Sequence, residues 1–180
     1  NSTSKAYLLN VAGVDFAKYQ SIYRGTFVAG PNLGSIPSTP DNESIVIGSR
    51  VHDPWKNGTD MINVNDEIEI NYTIVTSGVT RENKTYTGHV VAVLGEIGGF
   101  NIGGPSDTDV YIPISQAQDF FATEEVQSMI VQLKNSNDAT IKDTSDAIRN
   151  AFGNNVTVIS STAVLSTIQT IFSFIEIFLA

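Results

Sequence analysis

The sequence predicts an α+β fold: an α/β lobe made of two β-α-β units, a small β-rich lobe inserted between them, and a C-terminal helix. Three observations predict it. Residues 6–29 read as strand, helix, strand. Residues 126–159 read the same way. Between them lies β-rich, turn-rich sequence that ends at the stretch Asp107–Phe121, where a short strand runs into a helix. The expected division is 1–43 with 106–162 as the α/β lobe, 44–105 as the inserted β lobe, and 163–180 as a separate helix.

The elements follow in order. Ala6–Val14 is an apolar run of strand length, and Asp15 suits a helix N-cap. Phe16, Tyr19 and Tyr23 mark the inner face of a short helix that Gly25 can end. Thr26–Ala29 is expected as a second strand, and 30–43, with three prolines, as a loop. Residues 44–51 predict a strand and a short helical turn, and His52–Asp60 a polar loop. Ile68–Val75 alternates apolar and polar, the pattern of a half-buried strand. Thr76–Lys84 is expected as a polar turn and Thr85–Ile97 as a long strand. Its Val90–Leu94 run is apolar on both faces and so central. The loop with Gly98, Gly99, Gly103 and Gly104 is a connector, because no helix or Lys follows to make a phosphate cradle. Val110–Ile112 is a strand that Pro113 ends, and Ser115 with Gln118 forms a capping box for a helix from Gln116. Val126–Leu133 and Val156–Ile159 are expected strands around a helix at Asp138–Phe152. Ile141, Ser145, Ile148 and Phe152 form that helix's inner face. In 163–180, Leu165, Ile168, Phe172, Ile175 and Leu179 repeat at alternating spacings of three and four. Ser166, Gln169, Ser173 and Glu176 mark a polar stripe. The expected role is a stalk cut off as it enters a membrane, since a bilayer span needs about 20 apolar residues.

Composition narrows the function. Nineteen acidic against ten basic side chains give a net charge of −9 over 180 residues. That excludes nucleic-acid partners, which require a basic surface, and disfavours anionic lipid headgroups. The absence of Cys excludes disulfides, thiolate metal sites and cysteine nucleophiles. Asn1 is not a start methionine, so the chain is expected to be an excised piece, and no signal peptide is visible. Asn-x-Ser/Thr occurs at Asn1, Asn42, Asn57, Asn71, Asn83 and Asn155, which makes the last five candidate glycosylation sites on an outward-facing surface.

Five stretches carry a resemblance. Val11-Ala-Gly-Val-Asp-Phe16 fits a first strand and turn; Ile45-Val-Ile-Gly-Ser-Arg-Val51 and Val64-Asn-Asp-Glu-Ile-Glu-Ile70 fit a middle region. Gly88-His-Val-Val-Ala-Val-Leu-Gly95, followed by the Asp107–Gln118 strand-to-helix stretch, completes the order. Over roughly 6–165 the chain resembles the extracytoplasmic core domain of MacB-like, FtsX-family ABC transporter permeases. It departs where the family's Gly-Asp is Asn65-Asp66, and 52–60 makes a longer loop. The resemblance implies a porter-like α/β lobe near the membrane and a sabre-like β lobe beyond it. It also implies a non-catalytic role at the extracytoplasmic face of a cell membrane. Partners would be the permease's transmembrane helices, a cytoplasmic ATP-binding subunit or domain, a second copy, and in some members an adaptor protein.

The residues themselves offer no catalytic, cofactor or metal set. His52 and His89 lack ligand spacing, and His89 sits in a strand pattern. The run Asp60–Glu67 has oxygen ligands but not calcium-loop spacing. Asp107 and Asp109 straddle a strand entrance, where solvated carboxylates are common. Trp55, Tyr72 and Tyr86 are expected in the core rather than as a binding face. Two other readings make different demands. A cell-surface ligand-binding module, for glycans among others, needs an exposed aromatic platform containing Trp55. An enzyme needs a cleft collecting His52, His89 or Asp107.

Overall fold

A computed structural model describes residues 7–76, 80–98 and 104–179. The fold is mixed α+β and divides into two units, Asn1–Gln127 and Ser128–Ala180.

The first unit begins with β1 (Asn10–Val14) and α1 (Phe16–Ile22). Asp15 caps α1 as expected, its carboxylate accepting the Lys18 N–H at 3.0 Å. That bond holds its pKa below the usual carboxylate value. Next come β2 (Ala29–Gly34), β3 (Ser44–Ile47) and α2 (Ser49–His52), then the long β4 (Glu67–Thr76) and β5 (Thr80–Leu94). β6 (Asp109–Pro113) passes directly into α3 (Ile114–Phe121).

These strands make one sheet in the order β1-β6-β3-β5-β2, with β4 also paired to β5. β1 runs parallel to β6, and β3 runs antiparallel to β6 and parallel to β5. The expected boundary at residue 44 is therefore no break in the sheet: β3 lies between β6 and β5. Only β4 with the first part of β5 stands beyond the shared strands, because β3 meets β5 from His89 onward while β4 pairs from Thr80 to His89. Val90, Ala92, Val93 and Leu94 are fully buried, as their two-sided apolar run requires.

One face of the sheet is packed by Ile45, Ile47, Val90, Ile112 and the α3 residues Ala117 and Phe120. Tyr72 and Tyr86 extend this face by packing on Phe120. The other face is an aromatic cluster of Phe16, Phe27 and Tyr111 with Tyr19.

Several elements differ from expectation. The second strand lies at Ala29–Gly34 instead of 26–29, inside the expected loop. It is an edge strand, where Pro31 removes no ladder bond that the sheet requires. Gly34 has φ +81°, and a Cβ there would collide with the Val91 carbonyl, so this position is closed to other residues. Residues 81–84 belong to β5 instead of a turn. Gly99 and Gly103 lie outside the described residues. α3 starts two residues early with Pro113 as its N-cap and no side-chain cap bond, so the Ser115–Gln118 box does not form. Proline, with its φ already near the helical value, takes the chain straight from ladder to helix.

The second unit holds α4 (Asp138–Phe152), a single 3₁₀ turn (Gly153–Asn155) and α5 (Ser161–Leu179). Asn137 caps α4 by accepting the Thr140 N–H at 2.8 Å. Ile141 and Ser145 are buried, while Phe152 at the end of the expected inner face is exposed. Residues 126–133 and 156–159 are in no strand, contrary to the second β-α-β unit. Val126, Met129 and Val131 are exposed. β-formers make a strand only where a partner strand takes their backbone groups, and among the described residues none does.

Candidate functional site

The most prominent candidate feature is α5. Ser160 starts it, its hydroxyl accepting the Ala163 N–H at 3.3 Å and its carbonyl the Val164 N–H at 3.2 Å. Along the helix Ser166, Thr167, Thr170 and Ser173 each donate their hydroxyl to a carbonyl three or four residues back, at 2.8–3.0 Å. The hydroxyls are thus satisfied by the helix itself and present little polarity outward. Glu176 is the one ionisable side chain between Ser161 and Ala180.

Of the expected stalk face, Leu165, Phe172 and Ile175 are exposed, Leu165 by 58% and Phe172 by 61%, and Ile168 is half-buried. The side chain of Leu179 lies outside the described residues. Ile171 and Phe174, which the spacing analysis did not single out, are equally exposed. At 100° per residue, positions 171, 172, 174 and 175 cover about 160° of the helix circumference. The apolar surface is therefore wider than a single stripe. Among the described residues no helix is long and apolar enough to cross a membrane. Water tolerates a contiguous apolar surface of this kind poorly.

The polar candidates are occupied by structural work. His52 Nδ1 lies 2.6 Å from the Ile62 carbonyl and Nε2 3.2 Å from Asp60. His89 Nε2 faces Asp41 at 3.8 Å. Each histidine has its own carboxylate, and among the described residues no three His, Cys, Asp or Glu side chains converge to hold a metal. In the run from Asp60, Asp66 accepts the Asn63 N–H at 2.7 Å and Asn65 has φ +71°, which makes this a turn before β4.

Asp107 is a tie between loops. Its carboxylate accepts from Ser49 Oγ at 2.8 Å, the Ile97 N–H at 2.9 Å and the Gly98 N–H at 3.3 Å. Burial pushes its pKa up, but these three donors outweigh burial and hold it below the usual value. Asp109 instead lies in the ladder beside Asn10. The two carboxylates thus bind different partners.

Trp55 departs from expectation: it is 57% exposed. Tyr86 is buried, and its hydroxyl donates to the Asn42 carbonyl at 2.8 Å. Tyr72 packs edge-on against Phe121. The three rings do not make one platform.

No curated protein is significantly similar to this chain. The family model for the MacB-like periplasmic core domain matches residues 1–151, which include the whole sheet and all but the last residue of α4. The mixed sheet and this match agree. The chain belongs to the MacB-like periplasmic core domain family, the extracytoplasmic domains of ABC transporter permeases.

Proposed function

We propose that this domain lies between the first and second transmembrane helices of its permease and passes movement driven by ATP hydrolysis outward without catalysing a reaction itself. α5 is the stalk, and its face of Leu165, Ile168, Phe172, Ile175 and Leu179 couples the domain to the membrane helices. β4 with the first part of β5 is the part that reaches toward substrate or an adaptor. Two copies work together, each joined through its own membrane helices to a cytoplasmic ATP-binding subunit or domain.

The observation that supports this best is the exposed apolar surface of α5 on a helix with one ionisable side chain. A stalk emerging from lipid needs such a surface, and a helix serving only this unit's core would turn it inward.

The test uses the full permease in lipid discs, in a cysteine-free background. One cysteine placed at exposed Asn71 on β4 carries a spin label. The distance between the two copies' labels is expected to change between the ATP-free and the vanadate-trapped state. Leu165→Asp with Ile168→Asp should abolish that change while ATP hydrolysis continues. An unchanged distance response in the double variant would overturn the coupling role of α5.

A further inference from the structure

We infer that Asn57 is a modification site, the acceptor of an N-linked glycan; this rests on the outward-facing location proposed above. The five sequon asparagines among the described residues, Asn42, Asn57, Asn71, Asn83 and Asn155, are all exposed, so exposure does not choose among them. The hydroxyl two residues on does. A transferase must reach both the amide and that hydroxyl.

In the sequon of Asn42, Ser44 is fully buried and its hydroxyl is bound to Asp41 at 2.7 Å. The sequons of Asn71 and Asn83 lock each other. Asn71 stands opposite Thr85 and Thr73 opposite Asn83 in the β4–β5 ladder. Thr85 donates to Asn71 Oδ1 at 2.8 Å and Thr73 to Asn83 Oδ1 at 2.9 Å. Asn71 Nδ2 is itself engaged by Glu69 at 2.8 Å. Both hydroxyls are committed to the opposite strand. After Asn155 the backbone is extended at Val156, which carries Thr157 along the chain by about 7 Å, away from the amide.

Asn57 differs on each count. Residues 55–60 are all exposed. The Asp53 carboxylate holds the loop by accepting the Asn57 N–H at 3.3 Å and the Gly58 N–H at 2.9 Å. Gly58, at φ +73°, has nothing near the place of a Cβ, so an approaching enzyme meets open space. The Thr59 N–H donates to Asn57 Oδ1 at 3.0 Å, folding the sequon back so that Thr59 lies beside the amide. The amide oxygen is the bonded end, and among the described residues none accepts from Nδ2. Transfer forms a bond from Nδ2 to the anomeric carbon of an oligosaccharide carried on a lipid phosphate. The bond from that carbon to the phosphate oxygen breaks, one Nδ2 proton passes to a base of the transferase, and the lipid phosphate leaves.

The test is mass spectrometry of proteolytic peptides from the permease purified from its own membranes. The Asn57 peptide should carry saccharide mass, and the Asn42, Asn71 and Asn83 peptides should not. Asn57→Gln should lower the apparent mass by one glycan; Thr59→Ala should do the same, while Thr59→Ser keeps the glycan. A bare Asn57 peptide, one carrying only the mass gain of amide hydrolysis, or equal occupancy at Asn42 would overturn the inference. Labelling Lys56 and Lys84 on intact cells with a membrane-impermeant amine reagent separates the two readings. A labelled chain with bare Asn57 overturns the glycan site alone, and an unlabelled chain overturns the outward location with it.

Discussion

Replacing Asp107 by Ala should destabilise the first unit by about 2–3 kcal/mol at pH 7, with a cost that shrinks in acid. The carboxylate, just before β6, receives three hydrogen bonds that tie it to α2 and to the start of the loop after β5. Two of them, from Ser49 and Ile97, are partly buried, and the Gly98 bond is exposed. Hydrogen bonds to charged groups contribute about 1.5–3 kcal/mol when well buried. Discounted for solvent, the two inner bonds give about 1–1.5 kcal/mol each and the outer one little. The folded-state pKa is lowered from the ordinary carboxylate value. The ionised form's stabilisation is thus complete above the unfolded value, about 3.9, and is lost as pH falls through the lower folded value. Urea unfolding of the wild type and Asp107→Ala should show the full gap from pH 7 down to about pH 5 and a narrower gap below pH 4. A cost under about 0.5 kcal/mol, or a gap equally wide in acid, would refute the account of Asp107 as an ionised tie between loops.

Two further outcomes follow from the same structure. Deleting 166–180 removes mostly exposed side chains, so the melting temperature should move by less than about 3 °C while sedimentation shows reduced self-association; collapse of the fold would show that α5 is core. Gly34→Ala should cost about 1–3 kcal/mol in the same urea experiment, because φ +81° and the Val91 carbonyl both oppose a side chain there.

The candidate site was legible in part. The spacing of Leu165, Ile168, Phe172 and Ile175 located the helix and one apolar face, since a helix's period is a local property. Ile171 and Phe174 escaped because a template with one stripe counts only residues on that stripe. The individual partners of His52 and His89, Asp60 and Asp41, were not readable from spacing. The exposed Trp55 was misread because large aromatics are usually buried, and it sits in a turn that the Asp53 carboxylate holds through the Asn57 and Gly58 N–H groups.

The sequence by itself determined what depends on neighbours along the chain. The cap at Asp15, the alternation of β4, the central run Val90–Leu94 and the lengths of α4 and α5 all rest on contacts within a few residues or on a simple period. Tertiary structure decided what depends on partners far away. The sheet order β1-β6-β3-β5-β2 joins strands that the sequence assigned to two lobes. The ladder at β5 draws residues 30–34 out of an expected loop into β2, although they include Pro31. Val126–Leu133 shows the converse: a sequence fit for a strand is not one until another strand satisfies its backbone, and chain composition does not say where that partner will be.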